Sequence, residues 1–170
     1  MNTRPEGLVV GYDGSARADL AVDWAAAEAQ RRECALTVLS VTNHGFWQGD
    51  SPYAADLVDV LQSVAREQAA QGAERARRIA PGLEVIPKTV IDGVAYALIQ
   101  ASRQAALIVV GSRGHGELLG SALGSVAFTV SAHAHSPVVA LMHEGAASRV
   151  SMAVIRAPDI VDLPAAVAVV

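Results

Sequence analysis

The chain has 170 residues, 52% of them hydrophobic and 18% charged, which suits one well-cored domain and excludes a disordered chain. A formal net charge of −4 argues against a nucleic-acid partner, which would require a basic face, and a single cysteine, Cys34, excludes an internal disulfide framework. No apolar run reaches bilayer length and the N-terminus lacks a signal-peptide core, so the expectation is a soluble, cytoplasmic protein without a membrane partner.

Leu8-Val9-Val10 is a short apolar run closed by the turn cluster Gly11-Tyr-Asp-Gly14, which suits a buried first strand. Ser15 follows at a helix N-cap position. Ala18, Ala21, Val22, Ala25 and Ala29 then recur at helical spacing, and Arg31 and Arg32 stand near the C-terminal end, where cations complement the dipole. Leu36 to Val41 is a β-branched, apolar second strand. His44 to Pro52 is irregular, and its Phe46 and Trp47 read as loop aromatics packed on the domain, with a flap over a bound base or a partner contact as the sharper alternative.

Ala54 to Ala80 reads as a long helix with Leu57, Val60, Leu61, Val64 and Ile79 on its apolar side, ended by Pro81-Gly82. Glu84 to Val90 gives a third strand, and Pro87 within it points to a sheet edge. A third helix over Ala95 to Gln104, a fourth strand over Leu107 to Val110, a fourth helix over Ser125 to Ala134 and a fifth strand over Val138 to Met142 complete the pattern. Alternating strands and helices predict an α/β fold, an open Rossmann-like parallel sheet with helices on both faces.

The chemically informative stretch is Gly111-Ser-Arg-Gly114, nine residues, then Gly124-Ser125. A glycine-rich loop between a strand and a helix start allows close backbone approach to a phosphate, and the helix's free amides favour an anion. Ser125 would cap that helix or donate its hydroxyl to a phosphate oxygen. Taken alone, the glycines serve turns and caps equally well. No lysine follows them, so this is not a Walker loop, and Gly114 to Gly120 matches a dinucleotide fingerprint only loosely.

The spacing Gly-x2-Gly-x9-Gly-Ser resembles the nucleotide motif of the universal stress protein family, and its flanks agree. Val109 to Gly114 resembles that family's fourth strand and loop, Leu119 to Val126 its second loop, His133 to Val139 its last helix end and strand, and Val9 to Ser15 its opening strand and acidic turn. The resemblance covers roughly residues 7 to 143. It implies the strand order 3-2-1-4-5, an ATP site with Mg²⁺, and a homodimer through the fifth strand. In such a sheet the ligand crevice opens where the winding reverses, at the ends of strands 1 and 4.

By the same resemblance Asp13 matches an aspartate that contacts the nucleoside; its plainer role is an Asx-turn before the first helix. Val41 would meet the base through its backbone, its plainer role being ordinary core. Gly111, Gly114, Gly124 and Ser125 match phosphate-binding positions, and Ser112, Arg113, His115 and Gly116 lie on the loop, where Arg113 or His115 could pair with phosphate oxygens. With Gly11, Ser15 and Val126 these form the expected site. His133 and His135 do not share a helix face and make a poor metal pair, and Cys34 reads as a structural thiol.

No nucleophile elbow, zinc motif or paired carboxylates stand beside the loop, so no catalytic residue is assigned. The expected function is an ATP-binding stress-response or regulatory protein with slow hydrolysis at most. The alternatives are a slow ATPase or nucleotidyl-group transferase on the same fold, or a dimeric scaffold without nucleotide. The nucleotide domain is set at 1–144. The 145–170 tail holds two apolar segments separated by Pro158 and Pro164; one of them is expected to dock as an added strand or hairpin, on its own domain or across the dimer, the plainer alternative being a poorly ordered or translation-end remnant.

Overall fold

Each apolar run bounded by turn residues becomes a strand, and each alanine-rich run with 3.6-residue periodicity becomes a helix. The computed structural model describes residues 7–43, 54–112, 124–144 and 149–156. In chain order these form β1 (Leu8–Gly11), α1 (Ala16–Arg31), β2 (Leu36–Thr42), α2 (Ala54–Ile79), β3 (Val85–Ile91), α3 (Val94–Ala101), β4 (Leu107–Gly111), α4 (Ser125–His133), β5 (Val138–Glu144) and β6 (Arg149–Arg156). The sheet order is β3-β2-β1-β4-β5-β6. The first five strands are mutually parallel, in the order 3-2-1-4-5 that the family resemblance implies, and β6 joins β5 antiparallel.

Two cores lie on the two faces of the sheet, and the period-2 alternation of the strands feeds both. Leu107 and Val109 of β4 join α1 and α2 on one face, while Ile108 and Val110 join α3 and α4 on the other. The α1 face is built from small side chains: Ala21, Val22, Ala25, Ala26 and Ala29 are fully buried. Small side chains bring helix and sheet close together. A Cβ on Gly111 would lie 3.0 Å from the Arg17 carbonyl carbon, a tight approach that the glycine relieves where α1 crosses β4. On α2, a Cβ at Gly72 would meet Val38 Cγ1 at 2.8 Å and the Tyr12 ring at 3.0 Å.

Local signals account for most boundaries. Ser15 caps α1, its Oγ accepting from the Ala18 N–H at 3.2 Å. β3 lies at the sheet edge, where Pro87 can be accommodated. The third helix ends at Ala101 rather than at Gln104. Ser102 takes the C-cap position, donates to the Ile99 carbonyl at 2.6 Å and accepts from the His135 N–H at 2.8 Å. The fourth helix starts one residue after its cap, which is Gly124; Ser125 is the first helical residue and its hydroxyl is not the cap. The open outer edge expected for β5 is occupied by β6, because the apolar tail segment lies within strand-pairing distance of it. Residues 157–170 and the aromatic loop at Phe46 and Trp47 lie outside the described residues. Among the described residues no helix is long and apolar enough to cross a membrane.

A polar network ties the end of β1 to both helices on its face. The Tyr12 hydroxyl donates to Asp19 Oδ1 at 2.8 Å. Arg75 on α2 donates to both carboxylate oxygens of Asp23, at 2.5 and 2.7 Å, and its Nη1 lies 3.2 Å from Asp19 Oδ2. Arg75 is held above its ordinary range, first by the Asp23 hydrogen bond. Burial, then the bond to Asp19, pushes Tyr12 up to about 12.

Two outcomes follow from this packing. Gly72→Ala should lower stability by about 1–2 kcal/mol in denaturant titration, although alanine is the better helix former by about 1 kcal/mol, because the new methyl meets a stiff buried valine and a hydrogen-bonded ring. For Tyr12 the protonated phenol is the form the fold favours. Its contribution is therefore complete below the ordinary tyrosine pKa and is lost as pH rises from there through about 12. Tyr12→Phe should remove on the order of 2 kcal/mol of the stability loss seen between pH 9 and 12, read as a flatter difference between the two denaturation midpoints.

Candidate functional site

A crevice of about 250 Å³ opens where the winding of the sheet reverses, between the ends of β1 and β4. That volume lies near the lower end of small-molecule sites, which run from about 300 Å³ upward. Three groups of residues build it. Gly11, Tyr12, Asp13 and Ser15 come from the β1–α1 turn, and Val110, Gly111 and Ser112 from the end of β4. Gly124, Ser125, Val126 and Ala127 bring the start of α4. Leu39 and Val41 of β2 and Val94 and Leu98 of α3 add an apolar wall.

The acidic turn is held from several sides. Asp13 Oδ1 accepts from the Ser15 N–H at 3.0 Å, the Asx-turn that the Asp-Gly-Ser sequence favours. Gly14 has φ +78, a left-handed conformation that glycine adopts without a Cβ penalty. The Asp13 carbonyl accepts from Gln68 Nε2 at 3.0 Å, and Gln68 Oε1 accepts from the buried Ser40 hydroxyl at 3.1 Å. Gln68 thus bridges β2 and the turn from α2. The turn role and a ligand role are compatible, because Asp13 holds the Ser15 N–H and also lines the crevice.

Across the crevice the donors belong to the backbone. The Ser112 N–H is committed to the Leu141 carbonyl at 2.8 Å, and the Gly124 N–H to the Ser112 carbonyl. The Phe128 N–H closes the first turn of α4 on the Gly124 carbonyl at 2.9 Å. The preceding amides at Ser125, Val126 and Ala127 have no acceptor within the helix, as at any α-helix start, and these three residues line the crevice. They and the positive end of the dipole make this side suited to an anion.

Of the residues expected from the sequence, Gly11, Asp13, Ser15, Val41, Gly111, Ser112, Gly124, Ser125 and Val126 all border this one crevice. Arg113, Gly114, His115 and Gly116 lie outside the described residues. Gly111 also lies close against α1, and the Gly124 amide is given to the Ser112 carbonyl. Sequence reasoning missed Gln68, Val94 and Leu98. Gln68 carried a signal: it stands beside the buried α2 stripe of Ala65, Ala69, Ala73 and Ala76, where a polar side chain needs a partner. Cys34 lies away from the crevice, its thiol pushed up by burial, which suits an inert structural role.

A model of the universal stress protein family matches residues 6–141. Universal stress protein Rv1996 of Mycobacterium tuberculosis is 33% identical over 153 residues, which is 81% of this chain and 48% of that protein. The chain thus spans about half the length of the curated relatives it matches. Among solved structures, universal stress protein UspA from Lactobacillus plantarum superposes with a TM-score of 0.68 at 22% identity, covering 81% of this chain and 99% of that one, a likeness of fold. A universal stress protein in complex with cAMP superposes with a TM-score of 0.61 at 26% identity, covering 79% and 95%. With a matching model over most of its length and the same sheet order around the crevice, this chain belongs to the universal stress protein family.

Proposed function

We propose that the crevice binds an adenine nucleotide, ATP with Mg²⁺ in the first instance, and that the protein acts in a stress response through the occupancy of this site. The observation that carries the reading is the facing of two features across one crevice. The Asp13 carboxylate offers acceptors suited to ribose hydroxyls or the adenine amine, and the start of α4 offers amides suited to phosphate. The apolar wall of Leu39, Val41, Val94 and Leu98 provides a surface against which a planar base is removed from water. The related cAMP complex supports an adenine nucleotide as the ligand class.

The residues present fit the proposed ligand. Asp13 is the carboxylate on the described wall, and Ser15, Ser112 and Ser125 supply hydroxyls. Mg²⁺ is held in such sites through one or two carboxylates, phosphate oxygens and water, so this is a donor set of the right kind. Fast phosphoryl transfer requires a positioned base or water-orienting group together with a charge-stabilising cation. Among the described lining residues there is one carboxylate and no lysine, arginine or histidine. A slow ATPase or nucleotidyl transferase on the same fold is the second reading.

The decisive experiment is calorimetric titration of the purified, nucleotide-stripped protein with ATP, AMP and cAMP, with and without Mg²⁺. Saturable binding of at least one of them supports the reading, and no heat or displacement with any of the three overturns it. Asp13→Ala should weaken the bound nucleotide by roughly 10- to 150-fold, the loss of one or two hydrogen bonds to a charged acceptor. If the folded variant binds as tightly as the parent, Asp13 serves the turn alone.

A further inference from the structure

The two edges of the sheet are treated differently. At one edge β3 carries Pro87, which has no N–H to donate, and an exposed Lys88, and both blunt strand pairing. At the other edge the parallel sheet ends on β5, whose Val138-Val-Ala-Leu-Met142 run is uncharged and apolar. A strand of that kind with an open edge is a template for a second copy of itself. Here the edge is not open, because β6 pairs with β5 antiparallel along its whole length, from Glu144 opposite Arg149 to Val138 opposite Arg156. We propose that β6 is an intramolecular cover for a self-association edge: it takes the place on β5 that a second copy of this chain would otherwise fill.

Register favours the cover over the second copy. In the β5–β6 pair, Glu144 and Arg149 occupy directly opposite positions, a favourable charge arrangement. Two β5 strands paired antiparallel about Leu141 would instead set Glu144 opposite Val138, with no opposite charge to meet. Only four residues, 145–148, separate the two strands, so β6 reaches β5 at an effective concentration of millimolar order, which micromolar second copies do not match.

The cover also protects the edge that it creates. β6 begins and ends with arginine, and full antiparallel pairing of two β6 strands would set Arg149 of one copy opposite Arg156 of the other. The pairing with β5 shifts register between Val138 and Val139, where Ile155 is skipped, so β6 carries an irregularity of the kind that turns an edge away from further pairing. Charged ends and a bulge are devices by which sheet proteins prevent edge-to-edge association.

The test uses the full chain. Sedimentation across the micromolar range should show a monomer, and the variant Ala153→Pro, which removes a backbone donor from the middle of β6, should shift toward twice that mass while keeping its far-ultraviolet circular dichroism. A folded variant that stays monomeric overturns the proposal, as does a parent dimer, whether or not the substitution dissolves it. A second measurement stands if that variant does not fold. Ala140 and Ala153 are directly opposite in the register, so the pair Ala140→Cys and Ala153→Cys, in a Cys34→Ser background, should oxidise to an intramolecular disulfide that runs at monomer mass on a non-reducing gel. A dimer-mass band would mean that β6 is exchanged between copies, and failure to cross-link in the folded protein would mean that the strands do not pair; either result overturns the cover. None of these readouts depends on nucleotide, so their outcome is separate from that of the binding reading.

Discussion

The pairing of β1 with β4 decides where chemistry is possible in this molecule. Leu8, Val9 and Val10 lie beside Leu107, Ile108 and Val109, so the chain leaves the sheet twice at the same place, at Gly11 and at Gly111. β2 and β3 continue on one side of β1, and β5 on the other side of β4, so the connections leave in opposite directions and open a crevice between them. Among the described residues, every polar group lining the candidate site is close in sequence to one of those two exits or to the start of α4. If β1 and β4 were not neighbours, the acidic turn and the amides of α4 would each remain an ordinary turn and an ordinary helix start.

What converts that topology into a defined geometry is the way the turn after β1 is held. Its backbone is fixed below by Gln68, its side chain by the Ser15 amide, and the adjacent Tyr12 by Asp19, which Arg75 in turn engages. Each of these bonds alone contributes modestly, about 1 kcal/mol in a typical case. Together they leave the Asp13 carboxylate few alternative positions, and a ligand that uses it has less ordering entropy to overcome. The turn therefore has structural work and ligand-directed geometry in the same few residues, and α2, absent from the described lining of the crevice, is part of its construction.

How much of this was legible in the sequence depends on the range of the interaction concerned. Local signals read well: Ser15 as a cap, Pro87 as an edge marker, the short apolar strands and the alternation that gives the fold class. The strand order came from the Gly-x2-Gly-x9-Gly-Ser resemblance and not from periodicity, because pairing between distant strands leaves no trace in local spacing. Tertiary contacts were the illegible part. Gln68 reaches across 55 residues to Asp13, and nothing adjacent to it in sequence announces that partner. Gly111 reads from the sequence as a phosphate glycine, and its close approach to Arg17 on α1 is visible only in the fold. The third helix could be extended to Gln104 on propensity alone, while Ser102, bonded to Ile99 and His135, ends it earlier.

The division of labour around the crevice also bears on what a bound nucleotide could change. One wall, α4, is a nine-residue helix whose first turn needs an acceptor from outside the helix, and its N-cap glycine supplies no side chain to provide one. An anion at that position would accept from these first-turn amides. The opposite wall, the Asp13 turn, is already satisfied by the protein. Binding energy should therefore be expressed mainly at the start of α4, with the Asp13 side acting as a fixed reference. α4 also packs against β5 and β6. The crevice and the outer edge of the sheet thus share one helix, and a ligand at the start of α4 would bear on the rim through it.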